Sequence, residues 1–107
     1  MFQRAVSAVG GGGEDWKPTQ LVQNHGNKSS YSISVPSGVT YGILNCYAYG
    51  TNATWTINGA TVELIGTSGT AGTGYEEREY YHCYPTGSTI TASCTGGSIE
   101  RGIDLIC

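Results

Sequence analysis

Charge is what this chain has least of. Charged side chains make up 12% of its 107 residues, about half of what an average soluble domain carries. Only five are basic (Arg4, Lys17, Lys28, Arg78 and Arg101), scattered along the chain, and the formal net charge is −3. Neutralising a phosphate backbone takes a stripe of Lys and Arg, so nucleic acid is excluded as a partner. No apolar run approaches the length needed to cross a bilayer as a helix, which argues against membrane insertion. No segment has the three-to-four-residue periodicity of a long amphipathic helix.

The chemical motifs are missing as well. Cys46, Cys83, Cys94 and Cys107 contain no CxxC pair and no CxxC…HxxxH spacing, so a zinc ribbon is excluded. His82 and Cys83 stand near Glu76, Glu77 and Glu79, but neighbours on a strand point to opposite faces, and no metal site is expected. Neither His25 nor His82 lies in a nucleophile motif such as GxSxG. The acidic trio reads as a solvated patch rather than as a glycosidase pair. The glycine runs lack the lysine of a P-loop and the strand-to-helix context of a dinucleotide fold. The expectation is therefore a protein without catalytic residues, metal or cofactor. The four cysteines are expected to serve as small buried hydrophobes, with a Cys83–Cys94 disulfide across a hairpin as the alternative in an oxidising compartment.

What is present changes character at Gly10–Gly13. Residues 1–14 read as an arm and a glycine hinge, and residues 15–107 as one domain, with Trp16 the first side chain pinned to its body. Phe2, Arg4, Val6 and Val9 are the side chains with which the arm would grip a larger assembly, and Phe2 to Val9 has the spacing of a single helical turn. The opening segment lacks the apolar core of a secretory signal, so use without Sec export is expected unless a signal has been removed. Asn27-Lys28-Ser29 and Asn52-Ala53-Thr54 fit the N-glycosylation pattern and matter only in a eukaryotic secretory path.

The rest is Thr, Ser, Gly and Tyr with short alternating apolar runs, the pattern of strands and turns. Thr19 to Gln23 reads as a strand and Asn24-His25-Gly26-Asn27 as a turn. Tyr31, Ile33 and Val35 alternate with serines and should face inward. Tyr41 to Tyr49 is apolar on both parities, as in a central strand covered on both sides. Thr54 to Leu64 reads as a hairpin about Asn58-Gly59, a pair suited to a two-residue type I′ turn, with Trp55, Ile57, Val62 and Leu64 facing the core. Gly66 to Gly74 reads as a flexible loop delivering Tyr75, Glu76, Glu77 and Tyr80 to a contact surface at one end of the domain. Thr89 to Cys94 and Ile99 to Cys107 complete seven or eight short strands, the last of them paired rather than left at an open edge. The fold class is all-β, an antiparallel β-sandwich or jelly-roll-like barrel, with helix nearly absent.

The segment Ser30-Tyr-Ser-Ile-Ser-Val-Pro-Ser-Gly-Val-Thr-Tyr-Gly-Ile-Leu44 resembles the strand, Pro-x-Gly-Val, strand unit of small β-sandwich proteins of tailed bacteriophages, including tail-tip, fibre and head-decoration components. The likeness extends best over Tyr31 to Ile65. It implies a non-enzymatic structural protein located in a virion, whose partners are other virion proteins, further copies of the chain in a homo-oligomer, and a host surface ligand. It implies no catalytic residue. The rival reading of the same residues is a secreted or cell-surface module that binds carbohydrate or protein through tyrosines such as Tyr47, Tyr49, Tyr75, Tyr80, Tyr81 and Tyr84. A small hydrolase is the third.

Overall fold

The computed structural model describes residues 16–49, 53–69, 76–96 and 100–107. The arm residues Phe2, Arg4, Val6 and Val9, the helical turn expected there, and Tyr75 lie outside the described residues. The described residues form eight strands: β1 (Leu21–Gly26), β2 (Ser30–Ser34), β3 (Gly42–Tyr49), β4 (Thr54–Asn58), β5 (Ala60–Ser68), β6 (Glu76–Pro85), β7 (Thr89–Thr95) and β8 (Arg101–Ile106). They form a five-stranded sheet in the order β1-β8-β3-β6-β5 and a three-stranded sheet in the order β2-β7-β4. Every pairing is antiparallel. The described residues contain no helix. The protein is an all-β sandwich.

Its core is the space between the sheets. The three-stranded sheet contributes Tyr31, Ile33, Ile90 and Ala92, and the five-stranded sheet contributes Leu44, Cys46, Cys83, Ile103 and Leu105, with Cys107 just beyond it. Each set follows the two-residue period of its strand. All four cysteines are buried and free. Burial pushes the Cys83 thiol up to about 12 and raises Cys46 as well, so both are protonated hydrophobes rather than nucleophiles. The Cys83–Cys94 disulfide is thereby corrected. Cys83 stands near the end of β6 in one sheet and Cys94 near the far end of β7 in the other, so the hairpin that was to bring them together does not exist.

Tyr31, fully buried, shows how the edge of the sandwich is closed. Its hydroxyl accepts from the Lys28 amide at 3.0 Å and lies 2.5 Å from the Gly26 carbonyl and 2.7 Å from that of Lys28, which share its one proton. The residues that carry the chain from β1 in one sheet to β2 in the other are thus tied to a core side chain. Tyr31→Phe keeps the ring and strands these backbone groups, and should cost about 1–2 kcal/mol in denaturant unfolding. A loss below a few tenths would show that water replaces the hydroxyl.

The Asn58-Gly59 hairpin is the second correction. β4 pairs with β7 and β5 pairs with β6, so Asn58-Gly59 is a corner at which the chain leaves one sheet for the other. A type I′ turn needs positive φ at both central residues, but only Gly59 has it, at +89°. The β6–β7 connection is a corner of the same kind, and the two are bonded together: the Thr86 amide donates to the Gly59 carbonyl at 3.0 Å. Trp55, Ile57 and Val62 do pack on the core. Leu64, two residues further along the same strand as Val62, does not, being 54% exposed. Strand β5 also runs further than expected, through a bulge between Leu64 and Gly66 to Ser68. Among consecutive strands, only β5 and β6 pair with each other.

Candidate functional site

Inward residues of the five-stranded sheet make the core, and the alternate residues make an outer face that no described element covers. Strand register places those residues in rows. One row reads Gln23, Asp104, Asn45, Tyr80 and Gly66 across β1, β8, β3, β6 and β5. The next reads His25, Gly102, Tyr47, Arg78 and Ser68. On the other flank stand Leu21, Ile106, Ile43, His82 and Glu63.

Asp104 is the hub of the first two rows. Its Oδ1 accepts from Gln23 Nε2 at 2.7 Å and pairs with His25 Nε2 at 2.6 Å, and its Oδ2 accepts from Asn45 Nδ2 at 2.8 Å. The residues are far apart in the chain and meet only because β8 lies between β1 and β3. Burial by itself would raise the Asp104 carboxyl, but the bonds from Gln23, His25 and Asn45, together with the His25 charge, outweigh it and hold the group below the ordinary carboxylate value. The carboxylate therefore stays ionised on a face where it is 8% exposed. Asn45 is 4% exposed, and its Oδ1 has no hydrogen-bond partner among the described residues.

Gly102 makes the His25 contact geometrically feasible. A Cβ there would clash with His25 Cδ2 and lie 2.9 Å from both His25 Cγ and the Asn24 carbonyl oxygen. With hydrogen in its place, the imidazole lies across β8, reaches Asp104, and meets the Tyr47 ring edge-on at 5.2 Å. Arg78 covers Tyr47 from the other side, its guanidinium carbon 5.1 Å from the ring centroid. The guanidinium is itself held by Glu76 through two bonds of 3.0 and 2.8 Å. At the opposite end of the face Trp16 meets Tyr41 edge-on at 5.1 Å, Tyr84 stands 5.3 Å from Tyr41, and the Tyr41 hydroxyl is bonded to His82 Nδ1 at 2.7 Å. Burial, with the neighbouring Tyr84, pushes the Tyr41 hydroxyl up to about 12. Trp16 is thus the described residue nearest the arm that packs on the domain, as the sequence implies.

The residues expected at a contact surface are divided by the strand. Glu76 and Tyr80 lie on the outer face with Asn45 and Asp104, whereas Glu77 has the opposite parity, and its carboxylate accepts from the Ala53 amide at 3.2 Å. They lie along β6, not on a loop at the end of the sandwich. His82 and Cys83 face opposite sides, as alternation requires. Gln23, His25, Asn45, Tyr47, Arg78 and Asp104 were not legible as a site in the sequence. The available signal is a polar residue inside an apolar run: Asn45 between Leu44 and Cys46, and Asp104 between Ile103 and Leu105.

Chemically, the arrangement offers fixed donors, acceptors and rings. The His25–Asp104 pair is surrounded by amides and aromatic rings, which suits it to holding a ligand by hydrogen bonds. Fold and site define an antiparallel two-sheet β-sandwich with a polar outer face on its wider sheet. No family model matches the chain, and no curated protein or solved structure is similar to it.

Proposed function

We propose that this chain is a non-enzymatic virion structural protein of the tailed-bacteriophage type, which joins a larger assembly through residues 1–14 and displays its β-sandwich outward. The supporting observation is that, among the described residues, the core cluster and the residues packed on it run from Val22 to Cys107, with Trp16 clasped to Tyr41 three positions after the glycine run. A packed head preceded in sequence by four glycines is what a tethered display subunit requires. A surface of Thr, Ser and Gly with few charges suits close packing against neighbouring subunits.

Particles purified from the source culture should contain the chain at a fixed ratio to the major capsid or tail protein, measured by quantitative mass spectrometry. Deleting residues 1–13 should leave the unfolding midpoint unchanged and remove the chain from those particles. Presence in lysate but not in particles would overturn the reading, and undiminished incorporation of the truncated chain would overturn the role of the arm.

A further inference from the structure

We propose that residues 1–9 of one copy add as a further strand to the exposed edge of β5 in a neighbouring copy. The proposal rests on the reading above, in which the arm joins an assembly, and gives the arm its seat.

The sandwich is laced along one side and open along the other. Where β1 lies over β2, Asn24 Nδ2 donates to the Ser32 carbonyl at 3.0 Å and the Tyr31 hydroxyl holds the Gly26 carbonyl. Where β5 lies over β4, both edge strands, the core shows at the surface. Trp55, Ile57 and Val62 are only half-buried, and Leu64, on the same parity as Val62, is 54% exposed with Ile65 beside it at 42%. An edge strand presents a row of unpaired N–H and C=O groups, which proteins ordinarily guard with lysine, proline or clustered charge. The nine residues of β5 hold one charge, Glu63, and neither lysine nor proline. A bulge follows Leu64, but the pairing of Ala60 to Leu64 before it is regular.

The arm fits this edge in length, charge and place. Residues 1–9 equal β5 in length, contain no glycine or proline, and carry one charged side chain, Arg4, opposite in sign to Glu63. No register sets like side-chain charges against each other. Trp16 packs on Tyr41, as does Tyr84, and Tyr84 is paired with Thr61 of β5. The chain therefore enters the domain within two strands of that edge, and residues 10–15 can span about 20 Å when extended, so an arm leaving there reaches the β5 edge of a copy apposed on the same side. Strand addition supplies main-chain hydrogen bonds, and alternate side chains of the added strand cover Val62 and Leu64. Spent on its own sheet, the arm would be unavailable to an assembly, so the recipient is the neighbouring copy, and the glycines leave the hinge free to cross.

The test uses purified full-length chain in solution, whereas particle content tests the reading it rests on. Sedimentation velocity from micromolar to near-millimolar concentration should show self-association. Ala5→Pro with Val6→Pro removes two successive N–H groups, one of which must face β5. Leu64→Lys guards the edge at an exposed position. Each variant should associate roughly tenfold or more weakly at an unchanged unfolding midpoint, and Ile65→Lys takes the place of Leu64→Lys if that variant is destabilised. Mixed, the two restore one intact arm and one intact edge on different chains, so a one-to-one pair is expected, with amide shifts along Ala60–Ser68 of the isotopically labelled proline variant. A wild type that stays monomeric throughout would overturn the proposal. So would a proline variant that still associates, which would mean that edges pair with each other, a mixture that forms no pair, which would leave the arm on its own sheet, or shifts confined to β1.

Discussion

Gly59→Val is expected to destabilise the domain by about 3 kcal/mol or more, the sum of two effects each of about 1–3 kcal/mol, strain at a disfavoured backbone and overpacking. Gly59 holds φ at +89°, where a β-branched residue is strongly disfavoured. A Cβ at this corner would also lie well inside contact distance of the Thr89 carbonyl oxygen and 3.2 Å from the Ile90 Cα. Both are backbone atoms of the start of β7, and that strand is fixed by β2 on one side and β4 on the other, so it has little freedom to retreat. Asn58→Ala separates a corner from a hairpin. In a type I′ turn the asparagine would supply a second positive φ, and its loss would be felt. Here Asn58 has ordinary negative φ and is exposed, so the change should stay within about 0.5 kcal/mol. Urea unfolding of the two variants checks both statements, and a large loss from Asn58→Ala would contradict the corner.

The contrast at Asn58-Gly59 shows what alternation can and cannot say. Trp55, Ile57 and Val62 point into the core whether β4 and β5 are neighbours in one sheet or face each other from two, because a two-residue period fixes a face and not a partner. The same holds for the supposed β6–β7 hairpin and for the disulfide that depended on it. Strand existence, by contrast, was legible: Tyr31, Ile33 and Val35 against their serines, the doubly apolar run that became the middle strand β3, and the paired last strand β8. What made β3 read as covered on both sides is real, though the second cover is supplied by side chains of its own sheet. Asn45 and Tyr47 are buried on the outer face beneath His25, Arg78 and their neighbours rather than beneath another layer of described structure.

The site was less legible than the fold for a related reason. His25 was read as a turn residue because Asn, Gly and Asn surround it, yet β1 runs on to Gly26 once β8 offers it a ladder of hydrogen bonds. Asp104 reads as an isolated acid in a strand until β1 and β3 flank it. Strand pairing of this kind joins residues some 80 positions apart, and no local spacing encodes it. Gly102 carries information only afterwards, when its missing side chain is seen to be the room that the imidazole occupies.

Asp104→Ala carries the other large expected effect. The substitution removes the only described partner of Asn45 Nδ2, in a residue 4% exposed, and frees Gln23 and His25. Gln23 and His25 are both exposed, regain water and limit the loss, so about 2–3 kcal/mol is expected, toward the lower end of what breaking a buried charged network costs. The pH dependence has a definite sign. Because the carboxyl is held below the ordinary carboxylate value in the folded state, its contribution is present in full above that ordinary value, where the unfolded chain is also ionised. It is lost as the pH falls through the lower folded value, where the carboxylate takes up a proton and one acceptor becomes a donor facing other donors. The wild type should therefore lose stability below about pH 4 more steeply than Asp104→Asn, which cannot titrate and is weaker from the outset. Urea titrations between neutral and acid pH on the two proteins measure this directly. Parallel curves would mean that Asp104 is no better bonded in the folded chain than in the unfolded one, and the hub would then not be the organising element of the outer face.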